Sequence, residues 1–104
     1  MKMSGASMID QERNRQIYEE NWSAEHDDSH RLAEMTLAAL SYASLAASQM
    51  RNPRYSLGVQ LGLWPWSSDW WKPSKDPIRN LVKAGALIAA EIDRLQRIES
   101  ENKS

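Results

Sequence analysis

The sequence predicts an all-α protein: a three-helix bundle of about residues 8–21, 29–51 and 77–99, with a long, ordered, Trp-rich loop between the second and third helices. Three observations carry this. Apolar residues recur at three- and four-residue spacing in both longer segments. Asp76-Pro77 is a strong helix start, a capping carboxylate followed by a proline preset for the first turn. Only one short stretch alternates like a strand, and it has no second strand to pair with. A chain of 104 residues has room for one core, so 8–99 reads as a single helical domain between tails at 1–7 and 100–104.

The first helix begins after Ser7, an N-cap candidate, and runs to about Asn21. It is charged nearly all round, with Met8, Ile9, Ile17, Tyr18 and Trp22 as its only apolar marks. So short and polar a helix needs external support, and Trp22 docking into the core is the nearest source. The second helix starts in a cluster of cap formers, with Asp27, Asp28 or Ser29 as its cap, and ends at Asn52-Pro53. One stripe runs through Leu32, Met35, Ala39, Tyr42, Ala43, Ala46 and Met50, and a second through Leu37, Leu40, Ser44 and Leu45. Two covered faces and a high content of Ala and Ser suit a central or interfacial helix.

Residues 54–62 form a connector in which Leu57, Val59 and Leu61 alternate with polar residues or Gly. Trp64-Pro65-Trp66 follows. The proline holds Trp64 extended, so both indoles project to about the same side. The loop can keep one shape only if most of its indoles are packed, which puts Trp64, Trp66 and one of Trp70 or Trp71 in the core and leaves the other for a partner. In the third helix Ile78, Leu81, Gly85, Ile88, Ile92 and Leu95 make the core stripe, widened by Val82, Ala86, Ala89 and Ile98.

Thirteen Lys and Arg against 14 Asp and Glu, spread along the chain, argue against bulk nucleic-acid binding or an anionic membrane surface. The absence of cysteine removes disulfides, thiolate ligands and thiol nucleophiles. Neither a transmembrane run nor a signal peptide is indicated, so a cytoplasmic location in a host cell is expected.

Three polar groups are candidate sites. His26, His30 and Glu34 fall at i, i+4 and i+8 and would line one helix face as ligands for Zn or Mn, provided the helix starts early enough; a cap at Asp27 or Asp28 dissolves that spacing. Glu34, Glu91, Asp93 and Glu19 or Glu20 could meet across helices to hold Mg²⁺, as in helical nucleotide pyrophosphohydrolases, although the carboxylate spacing departs from that of those enzymes. Trp70, Trp71, Lys72, Arg79 and Lys83 combine indoles with cations, the pattern that stacks a base and holds its phosphate. No Gly-rich phosphate loop or Ser-His-Asp set occurs. No catalytic residue is assigned, and a divalent metal is the one cofactor these residues suggest.

Several strings resemble a family of small proteins encoded by temperate bacteriophages and prophages: Glu12-Arg13 with Gln16-Ile17, Trp22 to Asp28 with His30, Trp64-Pro65-Trp66 with Trp70 to Pro73, and Arg79 to Ile88 with Ala90-Glu91-Ile92. The resemblance spans nearly the whole chain apart from the tails and residues 48–62. It implies origin rather than reaction. The reading it favours is a phage accessory protein that binds a host or phage protein or a nucleotide-type small molecule, for instance to counter host defence, and two helices with more than one apolar face add the expectation of a homo-oligomer. A metal-dependent pyrophosphohydrolase and a structural subunit of a phage assembly stay open as alternatives.

Overall fold

The computed structural model describes residues 2–52 and 63–103, and among them every regular element is helical. Helix α1 spans Gly5–Tyr18, α2 Ala24–Asp28, α3 Glu34–Arg51 and α4 Pro77–Lys103, with one 3₁₀ turn at Ser68–Trp70. The expected connector at 54–62 lies outside the described residues.

Local chemistry explains where each helix starts. Ser4, rather than Ser7, caps α1: its hydroxyl accepts the Ser7 backbone N–H at 3.1 Å, so the helix takes in residues expected to be tail. Ser23 caps α2 by accepting the His26 N–H. The expected second helix therefore starts five residues late, at Glu34 rather than 29, and a separate short helix occupies the stretch before it, the two joined by a turn at residues 29–33. Ala33 precedes α3 in the left-handed conformation, at φ 64° and ψ 22°, and makes no side-chain cap bond. Asp76 caps α4 as expected, its carboxylate accepting the Ile78 N–H at 3.0 Å. That helix then runs on to Lys103, past the expected end at 99.

A left-handed alanine costs about 1–2 kcal/mol, whereas glycine adopts this conformation freely but gives up more chain entropy on folding. Ala33→Gly is accordingly expected to stabilise the protein by about 0.5–1 kcal/mol and raise Tm by roughly 3–6 °C in a calorimetric scan. An unchanged or lower Tm contradicts the assigned conformation.

Helices α3 and α4 pack antiparallel. Thr36 donates to Glu91 at one end (2.9 Å), and Asn80 Nδ2 donates to Gln49 Oε1 at the other (2.8 Å). Between these ties lies the core of Met35, Ala38, Ala39, Tyr42 and Leu45 against Ala84, Leu87 and Ala90, joined by Trp71, with Trp22, Ala43, Trp64 and Trp66 packed on it. Helix α1 crosses α4 at Gly85. A Cβ there would come within 2.5 Å of Ile9 Cδ1, so glycine is what permits the close approach.

Of the stripe expected to be the core of α4, Val82 and Ala86 are buried and Gly85 packs on Ile9, but the Ile and Leu residues are not. Ile78, Leu81, Ile88, Ile92, Leu95 and Ile98 are all exposed, between 39% at Ile98 and 57% at Ile78. The helix is apolar on more than one face. The buried side of the helix holds Val82, Ala84, Ala86, Leu87 and Ala90, mostly small residues that let backbones come close, and the Ile and Leu of the expected stripe were left outside. Leu32, Leu40 and Met50, expected on the apolar stripes of the second helix, are exposed as well.

Candidate functional site

The site is built on the polar side of α1, where Glu12, Arg15 and Gln16 share one face at i, i+3 and i+4. Glu12 is buried. Arg15 Nε and Nη2 each donate to its carboxylate at 2.9 Å, and Arg79 of α4 donates to Oε1. Burial pushes the Glu12 carboxyl upward, but hydrogen bonds and charge from Arg15 and Arg79 outweigh it and hold the group below the ordinary carboxylate value. Gln16 is only 2% exposed. Its Nε2 turns to Glu12 at 3.4 Å, an orientation required by a carboxylate that can only accept, and so its Oε1 faces the other way.

A chain of aromatic rings forms the opposite wall. Trp71, buried, stacks on Tyr42 with ring centres 4.7 Å apart. Trp64 meets Trp71, Tyr42 and Trp66 edge-on at 5.0, 5.7 and 5.4 Å. Trp66 in turn meets Trp22 and His30, and Trp22 stacks on His26. Backbone ties hold the segment down. Trp64 Nε1 donates to the Ser67 carbonyl at 2.9 Å, and Lys72 N–H donates to the Tyr42 hydroxyl at 3.1 Å. Asn80, fully buried, accepts the Ser74 N–H and donates to the Ser74 carbonyl.

Between these walls lies a cavity of about 430 Å³, bounded by Glu12, Arg15 and Gln16 on one side and by Trp22, Tyr42, Trp64 and Trp66 on the other. Small-molecule sites commonly have this size and this mixture of aromatic wall and few polar groups. Two atoms among its lining residues have no partner despite burial: Gln16 Oε1, an acceptor, and Trp66 Nε1, a donor. Lys72 and Lys83 stand at the rim. Burial, then the charge of Arg79, lowers the Lys83 ammonium from its ordinary value; it donates to the Lys72 carbonyl and sits 5.5 Å from the centre of the Tyr42 ring.

Of the residues expected to bind a ligand, Trp70, Lys72 and Lys83 line this cavity, and Trp70 is 59% exposed. The split between the paired indoles follows expectation, since Trp71 is core. It is the floor behind the cavity rather than a free contact. Arg79 is committed to Glu12. Sequence reasoning missed Glu12, Arg15, Gln16 and Trp22. The signal available was that α1 is too polar to stand alone, which requires its polar face to meet something.

The residues of the expected metal set lie beside one another but on separate elements, with the His26 and His30 ring centres 4.9 Å apart. His26 lies in α2, His30 in the turn after it and Glu34 in α3, so no continuous helix puts them on one face. His30 Nδ1 pairs with Glu34 Oε2 at 3.1 Å, while Glu34 Oε1 accepts the Leu32 N–H. Glu34 is held below its ordinary value: burial raises it, and the Leu32 N–H and His30 more than offset that. The carboxylates proposed for Mg²⁺ are also apart. Glu91 is buried with Arg94 and Thr36, Glu19 and Glu20 pair with Arg15, and Asp93 lies 3.9 Å from Arg13. Among the described residues, no group of three or more His, Asp or Glu is placed to hold a metal ion. No helix of the described residues is long and apolar enough to cross a membrane. Compared with known proteins, the chain matches no family model, no curated protein and no solved structure.

Proposed function

We propose that the protein acts by binding, and that it takes a small planar ligand of nucleotide type into the aromatic cavity. The observation that carries this is the pair of unpartnered buried atoms, Gln16 Oε1 and Trp66 Nε1, on residues that line the aromatic cavity. Leaving a buried donor or acceptor unpaired costs about 1–3 kcal/mol each. A ligand edge offering one donor and one acceptor, as a nucleobase does, recovers that cost once the two side chains turn toward it, and the indoles supply faces to stack on. Arg15, Lys72 and Lys83 outnumber Glu12 and Glu20 around the cavity, which favours an anionic group such as a phosphate on the same ligand. Sequestering a nucleotide signal is a role that suits a small phage accessory protein of the kind the sequence resembles.

The test is tryptophan fluorescence and calorimetric titration with a panel of purine and pyrimidine mononucleotides and dinucleotides. At least one is expected to bind saturably. Gln16→Leu and Trp66→Phe, which remove the acceptor and the donor while keeping bulk, are each expected to weaken binding about tenfold or more, in line with one lost buried hydrogen bond. Folded protein that binds none of the panel, or variants that bind as tightly as the parent, would overturn the reading.

A further inference from the structure

Ring contacts order the aromatic wall of the cavity from one end to the other. Lys83 Nζ lies 5.5 Å from the Tyr42 ring centre, Tyr42 meets Trp64 at 5.7 Å, Trp64 meets Trp66 at 5.4 Å, and Trp66 meets His30 at 5.1 Å. The cation therefore stands at the first ring of the run and the imidazole at the last. Gln16 belongs with the last. Its backbone carbonyl accepts the Trp22 N–H at 2.9 Å, and Trp22 meets Trp66 with ring centres 6.4 Å apart.

His30 brings a third polar atom to that end. Its Nδ1 pairs with Glu34 Oε2 at 3.1 Å, and Glu34 Oε1 is fixed in turn by the Leu32 N–H. A carboxylate can only accept, so Nδ1 of the neutral ring carries the hydrogen and Nε2 keeps its lone pair. His30 is among the residues that line the cavity and Glu34 is not, which puts Nε2 on the cavity side. This end thus offers two acceptors, Gln16 Oε1 and His30 Nε2, and one donor, Trp66 Nε1.

A base that satisfies all three needs two N–H bonds and one acceptor on neighbouring positions. Adenine and cytosine supply them with an amino group beside a ring nitrogen, and guanine with a ring N–H and an amino group beside its carbonyl. Uracil and hypoxanthine, once joined to ribose, keep a single N–H. A carbonyl then stands where the amino group was, and it turns a lone pair toward a second acceptor.

We propose that the site, which this inference takes to be the nucleotide site argued above, selects bases that carry an exocyclic amino group, and that His30 is the residue that reads it. The phosphate of such a ligand points toward Lys72 and Lys83 at the other end of the wall.

The test is calorimetric titration at about pH 8, where an imidazole ordinarily carries one hydrogen. It compares the monophosphates of adenosine with inosine, cytidine with uridine, and guanosine with inosine. The amino form of a pair is expected to bind about tenfold or more tightly, because the other form leaves a buried acceptor without its donor. His30→Leu, which removes that acceptor, is expected to bring the members of a pair within about threefold of each other, with a thermal melt to show that the variant is folded. The comparison in the parent protein stands by itself if it is not. Equal or tighter binding of the oxo form by the parent, or an undiminished preference in folded His30→Leu, overturns the proposal and leaves the nucleotide reading in place. Binding of no nucleotide at all overturns both.

Discussion

Replacing Glu12 with alanine is expected to remove about 1–3 kcal/mol of stability, because it takes away the buried carboxylate on which Arg15, Arg79 and Gln16 close. Arg15 and Arg79 both close on Glu12, and Gln16 leans on it, so one carboxylate ties α1 to α4 and orients the amide in the cavity. Set against a total stability of about 5–15 kcal/mol, the loss lowers Tm by roughly 5–15 °C. The same group gives a pH signature. Its folded value lies below the ordinary 4.5, so its contribution is complete above that value and is lost as pH falls through the lower folded one. Urea denaturation of the parent and of Glu12→Gln from pH 7 to pH 3 should show a stability gap that narrows on the acid limb. A gap that stays constant through that range would mean Glu12 is not held as its contacts imply.

Trp71→Ala is expected to cost about 3–5 kcal/mol, as truncation of a buried indole does, while Trp70→Ala stays within about 0.5 kcal/mol. The two residues are neighbours in sequence with opposite surroundings: Trp71 is stacked on Tyr42 in the core and Trp70 is open at the rim. Thermal melts of the two variants check this directly. Comparable losses in both would mean that the indole packing is misassigned. Trp71→Ala should also weaken nucleotide binding through Trp64, which it supports from behind, whereas Trp70→Ala can act on binding only at the rim.

Local signals were readable where one residue acts on its own backbone. Asp76-Pro77 marked the start of α4, and the indole-rich stretch was recognisable as a structure that must pack. The helical class followed from spacing alone. What was not readable depended on competition between faces. Helix α4 offers an a/d-like stripe of Ile and Leu, yet Val82, Ala84, Ala86, Leu87 and Ala90 are the residues inside, so the face richest in large side chains is not the one that met α1 and α3. A periodicity argument identifies an apolar face but does not say which partner covers it, or whether any does. The His26, His30 and Glu34 spacing assumed a continuous helix, whereas α2 ends at Asp28 and α3 starts only after a left-handed Ala33, with no glycine to mark the break. Gln16 could not have been singled out, since its importance lies in which of its two amide ends Glu12 claims.

The run of rings from Trp22 through Trp66, Trp64 and Trp71 to Tyr42 has an optical consequence. Chromophores at these separations exchange excitation, so light absorbed anywhere along the run is emitted from whichever indole has the lowest-energy excited state. Their coupled transitions also add a signed band to the far-ultraviolet dichroism, close to where helices are usually quantified. The ellipticity of this protein is therefore a composite of backbone and ring signals, and a change in it on titration reports rearranged indoles as readily as altered helix.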